Sequence, residues 1–161
     1  WVFKAKKSTL EKIEGIGTIR ANAIKSFNTF DEVEKEIRLL EKFNIQPLFI
    51  KDAGYPQKLL HCFDPPTILY YKGNANLNPS KTIAIVGTRH PTDYGKQIVH
   101  KLIESISEYQ PLIISGLASG IDANAHRESL HQSLPTVGVL AHGLQTRSEE
   151  HTSELQSPCN L

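Results

Sequence analysis

Apolar positions recur at helical spacing in the first part of the chain. Within residues 8–44 short helical runs are interrupted by the break EGIG, and Val33, Ile37 and Leu40 are spaced to share one face of a helix. This pattern predicts several short helices and no strand. We therefore expect residues 1–44 to form a small helical module.

Residues 45–80 combine strand-like and turn-like segments. The runs IQPLFI and PTILYYKG predict two short strands, and Pro56 opens a short helix between them. The polar run NANLNPS then follows and has the composition of a connecting segment. We expect residues 45–80 to be an extension and a linker to the next domain.

Residues 81–146 show a third pattern, in which apolar runs alternate with helical segments. The runs TIAIVG, PLIISG and PTVGVLAHG predict buried strands, and residues 95–109 and those from Ala123 onward predict helices. This alternation is typical of a parallel sheet covered on both faces. The predicted fold class is α/β: the N-terminal part of a Rossmann-like, doubly wound parallel sheet, preceded by the helical module.

Composition narrows the class of protein further. Hydrophobic residues make up 39% and charged residues 22% of the 161 residues, and the net charge is +1, as in an ordinary globular protein with a core. No apolar run is long enough to span a membrane and no secretion signal is present, so we expect a cytoplasmic protein. Cys62 and Cys159 stand far apart, and the seven histidines are scattered, so we expect no disulfide, metal or cofactor.

Both ends of the chain look unusual. The sequence has no methionine, so we expect the N-terminus to be a cut end. Residues 147–161, RSEEHTSELQSPCNL, have no strand or helix periodicity and are similar to a translated sequencing adapter. We expect this segment to be a non-native tail and leave it out of the fold prediction.

Candidate chemistry concentrates where the predicted strands end. In open α/β sheets, ligands bind at the carboxyl ends of the strands. The three strand ends read GTRHPTDYG, SGLASGID and AHG, so glycines, hydroxyl side chains and an arginine converge there. Glycine allows close backbone approach, helix N-termini attract anions, and arginine binds phosphate oxygens. The three loops together indicate a phosphate-binding crevice, although each loop alone fits an ordinary turn.

Enzymatic motifs are missing from the same loops. Neither GTRHPTDYG nor SGLASGID has the glycine spacing of a dinucleotide-binding fingerprint or a P-loop. Ser115 and Ser119 lack the nucleophile-elbow pattern. Asp122 is expected to cap the next helix, and His126 is expected to brace the preceding loop from inside that helix. We therefore predict no catalytic residue.

The helical module carries a separate motif. GIGTIRANAI places Gly15 and Gly17 in a short turn and Arg20 just beyond it, which is similar to a helix-hairpin-helix. Such a hairpin offers backbone N–H groups to DNA phosphates without reading sequence. A degenerate hairpin retained for packing explains the motif equally well, since Glu14 places a negative charge beside it.

Nearly all of residues 3–144 resembles the DNA-processing protein A (DprA/Smf) family, and looks most like its Bacteroidetes members. The resemblance rests on YPQKLLHCFDPPTILYYKGN, IAIVGTRHPTDYG, SGLASGIDANAHRESL and TVGVLAHGL, in that order. It implies a single-stranded DNA-binding mediator that loads the RecA recombinase onto incoming DNA during natural transformation, acts as a homodimer and is not an enzyme.

The resemblance also implies which residues contact the strand. The implied DNA-binding positions are Gly87, Thr88, Arg89, Thr92, Ser115, Gly116 and Gly120. Asp122 and His126 match the family motif as loop-bracing residues. Leu134 and Pro135 stand where many members have a basic residue, and the resemblance ends at Leu144, so we expect the family's dimerisation and RecA-contact segments to be absent.

Two other functions fit parts of the sequence. One is a Rossmann-like phosphoribohydrolase acting on nucleoside monophosphates, although the chain lacks that group's Pro-Gly-Gly-x-Gly-Thr loop. The other is a duplex-DNA adaptor that binds through the helix-hairpin-helix motif. The two DNA-binding hypotheses place the interface on different parts of the chain. The phosphoribohydrolase hypothesis instead predicts that a nucleoside monophosphate is cleaved to a detectable product.

Overall fold

The structure, a computed structural model, describes residues 2–144. It separates into two units, Trp1–Lys42 and Phe43–Leu161, each of which is described here by itself. The predicted non-native tail, residues 147–161, lies outside the described residues. Among the helices that the structure describes, none combines the length and the apolar character needed to cross a membrane.

The first unit is helical, as its sequence pattern predicts. Its helices are α1 (Lys7–Leu10), α2 (Thr18–Ser26) and α3 (Phe30–Phe43). Helix α1 is a single turn, because Ile13 and Ile16 continue the chain in tight turns rather than in helix. Leu10, Ala21 and Leu40 are buried, one from each helix.

The second unit begins with a two-stranded antiparallel sheet. Strands β1 (Gln46–Phe49) and β2 (Ile68–Tyr71) pair from Gln46↔Tyr71 to Phe49↔Ile68, and a 3₁₀ turn (Gln57–His61) lies between them in the sequence. Both strands were predicted from the sequence. The helix expected after Pro56 is this short 3₁₀ turn.

The polar run at residues 74–80 is held by specific hydrogen bonds. The Asn78 side chain accepts the Gln57 backbone N–H at 2.7 Å and donates to the Tyr55 carbonyl at 3.0 Å. Tyr55 is fully buried, and its hydroxyl donates to the Pro66 carbonyl at 2.6 Å. This run is therefore fastened to the segment between β1 and β2, although its composition is that of a linker.

The rest of the second unit is a parallel sheet with helical crossovers. Strands β3 (Thr82–Ala84), β4 (Leu112–Ser115) and β5 (Thr136–Gly138) lie in the order β3-β4-β5, and both neighbouring pairs are parallel. Helix α4 (Asp93–Ile106) connects β3 to β4, and α5 (Ile121–His131) connects β4 to β5. The predicted α/β fold class is confirmed.

One face of this sheet carries the hydrophobic core. Ile85 and Ile113 pack there with Val99 and Ile103 of α4 and with Ala125 of α5. Parallel crossovers are right-handed, and two successive crossovers in the same direction place both helices on the same side.

The opposite face of the sheet is partly exposed in the part of the chain that the structure describes, although Leu112 on that face is buried. Val86 and Val139 are 77% and 61% exposed, and Ala84 is also exposed. Cover on both faces, which the sequence pattern predicts, stays a prediction for this side of the sheet.

Candidate nucleic-acid interface

Two loops follow neighbouring parallel strands and meet at one edge of the sheet. Residues 87–92, called the first loop, follow the β3 segment, and residues 116–120, called the second loop, follow β4. The Ile121 N–H, at the start of α5, donates to the Thr88 carbonyl at 3.1 Å. The two loops therefore form one continuous surface at the carboxyl ends of the strands, where open α/β sheets bind ligands.

The contact between the loops depends on Gly120. Its φ of +92° lies in a region that L side chains rarely adopt. A Cβ atom at this position would overlap the Thr88 carbonyl oxygen and come within 2.6 Å of the Arg89 carbonyl carbon. Backbone thus packs directly on backbone, which fixes the position of Arg89 relative to the second loop.

The carboxylate of Asp122 lies against both loops. It is buried, and its Oδ1 accepts the Gly87 N–H at 3.3 Å, while a Cβ on Gly116 would lie 2.6 Å from its Oδ2. The sequence predicted that Asp122 caps α5. That prediction is wrong: the cap position is Gly120, and Asp122 lies within the helix with its carboxylate turned toward the β3 loop.

The first-turn amides of α5 are used inside the protein. The Ile121 N–H binds the Thr88 carbonyl, and the Ala123 N–H binds the Ala118 carbonyl at 3.1 Å. Helix termini attract anions through amides that lack a partner. Since these two amides have partners, they are not available to a phosphate in this geometry.

The first loop presents those side chains to solvent. Thr88, Arg89 and Thr92 are exposed. The Thr92 hydroxyl oxygen accepts the Gly95 N–H at 3.2 Å and so caps α4, and the Thr88 hydroxyl oxygen accepts the His90 N–H at 3.2 Å. Both hydroxyl hydrogens are left to donate elsewhere.

Tyr94 extends this surface onto α4. It lies in the first turn of the helix and is 72% exposed. A tyrosine at this position is more often buried, and its exposure leaves the ring face free to stack on a flat partner.

Ser115 does not belong to this surface. It is buried, and its hydroxyl donates to the Ile85 carbonyl at 2.5 Å. The alternation of the strand turns this side chain toward the sheet interior, so its predicted contact with DNA stays a prediction that this geometry does not favour. Ser119 is the exposed serine of the second loop, and its place between Ala118 and Gly120 in a turn was the signal that sequence reasoning missed.

His126 connects the second loop to the third strand. Its Nε2 lies 2.8 Å from the Gly116 carbonyl, and its Nδ1 lies 2.7 Å from the Thr136 hydroxyl. A carbonyl only accepts, so Nε2 carries the proton in the neutral ring. The Thr136 hydroxyl has one hydrogen, for which Nδ1 and the Ile113 carbonyl, 3.1 Å away, compete. Burial lowers the pKa of His126, opposed by the Gly116 carbonyl and by the charge of Asp122.

The lowered pKa predicts a loss of stability in mild acid. The unfolded chain binds a proton on this histidine near pH 6.5, whereas the folded protein resists protonation until lower pH. The free energy of unfolding should therefore be full above about pH 6.5 and should fall as the pH drops toward the folded-state pKa. Urea unfolding at about pH 5 and pH 7.5 measures this difference.

His126→Gln should remove most of that pH dependence, since glutamine can still donate to Gly116. The comparison is made in a His100→Gln background, because Glu128 raises the pKa of His100. That shift has the opposite sign: its contribution is present below about pH 6.5 and is lost as the pH rises through the folded-state value. Identical pH profiles for the protein with and without His126 would contradict the prediction.

The helix-hairpin-helix residues form a turn in the first unit. Gly15 has a φ of +80°, Gly17 is the N-cap of α2, and the Arg20 guanidinium donates to the Gly15 carbonyl at 2.6 Å. The Arg20 side chain thus bonds back to the backbone of its own turn, and the next residue, Ala21, is fully buried. These contacts favour a hairpin kept for packing, while the role in DNA binding stays a prediction.

The arrangement of the polar and titratable side chains bears on metal binding and on acid-base chemistry. In residues 2–144 no group of three or more His, Cys, Asp or Glu side chains lies close enough together to hold a metal ion. In the same range every fully buried side-chain nitrogen or oxygen has a hydrogen-bond partner. His126 and Ser115 in particular use their polar atoms to hold the fold.

Comparison with known proteins gives a consistent group of relatives. Residues 46–159 match the family described as DNA recombination-mediator protein A. The chain is 38% identical over 136 residues to DNA processing protein DprA of Bacillus subtilis, covering 80% of this chain and 46% of that protein. It is 35% identical over 122 residues to DNA processing protein DprA of Streptococcus pneumoniae, covering 75% and 43%.

A solved structure agrees with the fold. The X-ray structure of DNA processing protein A (DprA) from Streptococcus pneumoniae superposes with a TM-score of 0.67 at 30% identity, over 86% of this chain and 50% of that one. The chain therefore spans about half of that structure, and less than half the length of the two curated relatives named above.

Proposed function

The chain belongs to the DNA recombination-mediator protein A family, and on that premise we propose that its second unit binds single-stranded DNA through the first and second loops. The observation that carries the proposal is the backbone contact at Gly120, which joins the loops into one surface bearing Arg89. A rigid surface of this kind can hold a phosphate backbone without reading base sequence.

The exposed side chains match the needs of single-stranded DNA. Arg89 supplies a planar, permanently charged donor, and Thr88, Thr92 and Ser119 supply hydroxyl donors. Tyr94 supplies a ring on which a base can stack, which is tolerant of sequence because every base has a π-face. Gly87, Gly116 and Gly120 are proposed to contribute by close backbone approach.

We propose that the whole protein passes this DNA to a RecA-type recombinase during natural transformation. In this proposal it acts as a homodimer in the cytoplasm and performs no chemical step itself. Support comes from family membership, since the relatives are named for DNA processing and for mediating recombination. Support also comes from His126 and Ser115, whose polar atoms are bound to Gly116, Thr136 and Ile85 rather than open to a substrate.

Fluorescence anisotropy with a labelled oligo-dT of about 20 nucleotides tests the proposal, with a duplex of equal length as the comparison. The protein should bind the single strand more tightly than the duplex. If about three phosphates are contacted, affinity should fall roughly tenfold to twentyfold between about 50 and 200 mM salt.

Other outcomes would point to the competing functions. Tighter binding to the duplex, lost on substitution of Gly15 and Gly17, would favour the helix-hairpin-helix adaptor. Release of ribose phosphate from AMP would favour the phosphoribohydrolase.

A further inference from the structure

The polar side chains of the first loop do not by themselves distinguish single-stranded from duplex DNA. Thr88, Arg89 and Thr92 present hydroxyl and guanidinium groups, and the phosphates that such groups bind are common to both forms. The base faces differ between the forms, because a duplex covers them with the neighbouring base pairs. A preference for single strands therefore requires an exposed flat side chain close to the loop.

Among the exposed aromatic side chains in residues 43–144, only Tyr94 adjoins a loop of the proposed site in the sequence, two positions past the end of the first loop. The others are Phe49, Phe63, Tyr70 and Tyr109. The first three belong to β1, β2 and the segment between them. Tyr109 lies beyond the other end of α4, where the Lys81 ammonium nitrogen is 4.5 Å from its ring centroid. Tyr94 is thus the candidate for contact with a base.

Tyr94 is not used to hold the fold of the described residues. By contrast, the hydroxyls of Tyr55 and Tyr71 donate to the Pro66 and Ala75 carbonyls at 2.6 Å and 2.8 Å. The Tyr94 hydroxyl makes no hydrogen bond within residues 2–144, and the residue is 72% exposed. Its ring is therefore presented to solvent from the first turn of α4.

Ile98 continues this apolar surface by one turn of α4. It lies four positions after Tyr94, so the two side chains are neighbours on the helix, and it is 46% exposed. Lys101, three positions after Ile98, is exposed, and no acidic residue lies three or four positions from either member of the pair. The carboxylate of Asp93, which precedes Tyr94, is 3.6 Å from the Lys96 ammonium. A polyanion can therefore approach this surface.

We propose that Tyr94 determines the preference for single-stranded DNA, with Ile98 as the second part of the same surface. This rests on the proposed binding of DNA by the first loop. Arg89 holds a phosphate of either form, and the Tyr94 ring stacks on a base that only a single strand exposes. A duplex would have to unstack a base pair to make the same contact, which costs free energy.

Fluorescence anisotropy with oligo-dT of about 20 nucleotides and a duplex of equal length tests this assignment. Tyr94→Ala should weaken binding of the single strand about tenfold and leave duplex affinity within about twofold. Tyr94→Phe should bind like the unaltered protein, because it keeps the ring. Arg89→Ala should weaken binding of both forms by a similar factor. Tyr70→Ala, which removes a 48% exposed tyrosine of β2, is the matched control and should change neither affinity.

An abasic oligonucleotide of the same length separates stacking from a change in the fold. It keeps the phosphates and lacks the base faces, so the unaltered protein should bind it about tenfold more weakly than oligo-dT. Tyr94→Ala should bind the two strands with affinities within about twofold of each other. The salt dependence of oligo-dT binding should be the same for Tyr94→Ala and the unaltered protein, since the substitution removes no charge.

The failure of this assignment is distinguishable from the failure of the proposed DNA binding. An unchanged preference for the single strand in Tyr94→Ala, or an equal loss for single strand and duplex, would overturn the role of Tyr94 and leave the first loop as the binding site. A loss in Tyr94→Phe as large as that in Tyr94→Ala would also overturn it. Absence of oligo-dT binding by the unaltered protein would overturn both proposals.

Discussion

Gly120→Ala is expected to lower the free energy of unfolding by about 3 kcal/mol or more and to abolish measurable oligo-dT binding. A non-glycine residue at a φ of +92° is strained by about 1–3 kcal/mol. The added methyl must also displace the backbone of Thr88 and Arg89, which it would meet at overlapping distances. Relief of that overlap separates the two loops, so stability and binding should fall together.

Gly54→Ala is the matched control for this change. A Cβ at Gly54 would make only an ordinary contact, 3.5 Å from the Leu48 side chain, and its φ lies outside the left-handed region. Urea unfolding followed by circular dichroism measures stability, and anisotropy measures oligo-dT binding. Equal effects of the two substitutions, or normal binding by Gly120→Ala, would show that the contact between the loops does not organise the site.

Arg89→Ala is expected to weaken oligo-dT binding about tenfold while leaving stability unchanged. Arg89 is exposed, so its removal takes away one charge-assisted phosphate contact rather than a packing contact. The slope of log affinity against log salt should also decrease in magnitude by about 0.7, the value for one phosphate on a single strand.

Two further variants test whether that loss of affinity comes from the Arg89 side chain itself or from the change in net charge. Arg89→Lys should recover part of the affinity, since it restores the charge but not the bidentate geometry. Arg38→Ala makes the same charge change at an exposed arginine of α3 and should leave binding within about twofold. Equal losses for Arg38→Ala and Arg89→Ala would mean that net charge, and not the first loop, determines the affinity.

The sequence was sufficient to predict features that depend on neighbouring residues. The apolar runs that became β3, β4 and β5 were recognisable because parallel strands are buried along their length. Thr92 was recognisable as a cap because its hydroxyl serves an amide only three residues away. The convergence of two glycine-rich loops followed from the parallel order of their strands.

The errors concern features that depend on distant residues. Asp122 is a residue type that often caps helices, but its carboxylate is turned to the Gly87 amide of the first loop, 35 positions earlier in the sequence. Ser115 and Ser119 are chemically alike, and only strand alternation and the turn decide that one is buried and the other exposed.

The exposed stripe of α3 illustrates the same limit. Its spacing predicted a helix with an apolar face, and the helix is present from Phe30 to Phe43. Whether such a face is buried or stays open depends on residues elsewhere in the chain. Leu40 is buried, whereas Val33 and Ile37 on the same stripe are about half exposed.

The central claim, that the first and second loops bind single-stranded DNA, is tested most directly by amide NMR shifts on titration with oligo-dT. The account predicts shifts in residues 87–92 and 116–120, which weaken with salt, and no comparable shifts in residues 15–20. Shifts confined to residues 15–20, or none in either loop at saturating oligo-dT, would contradict it.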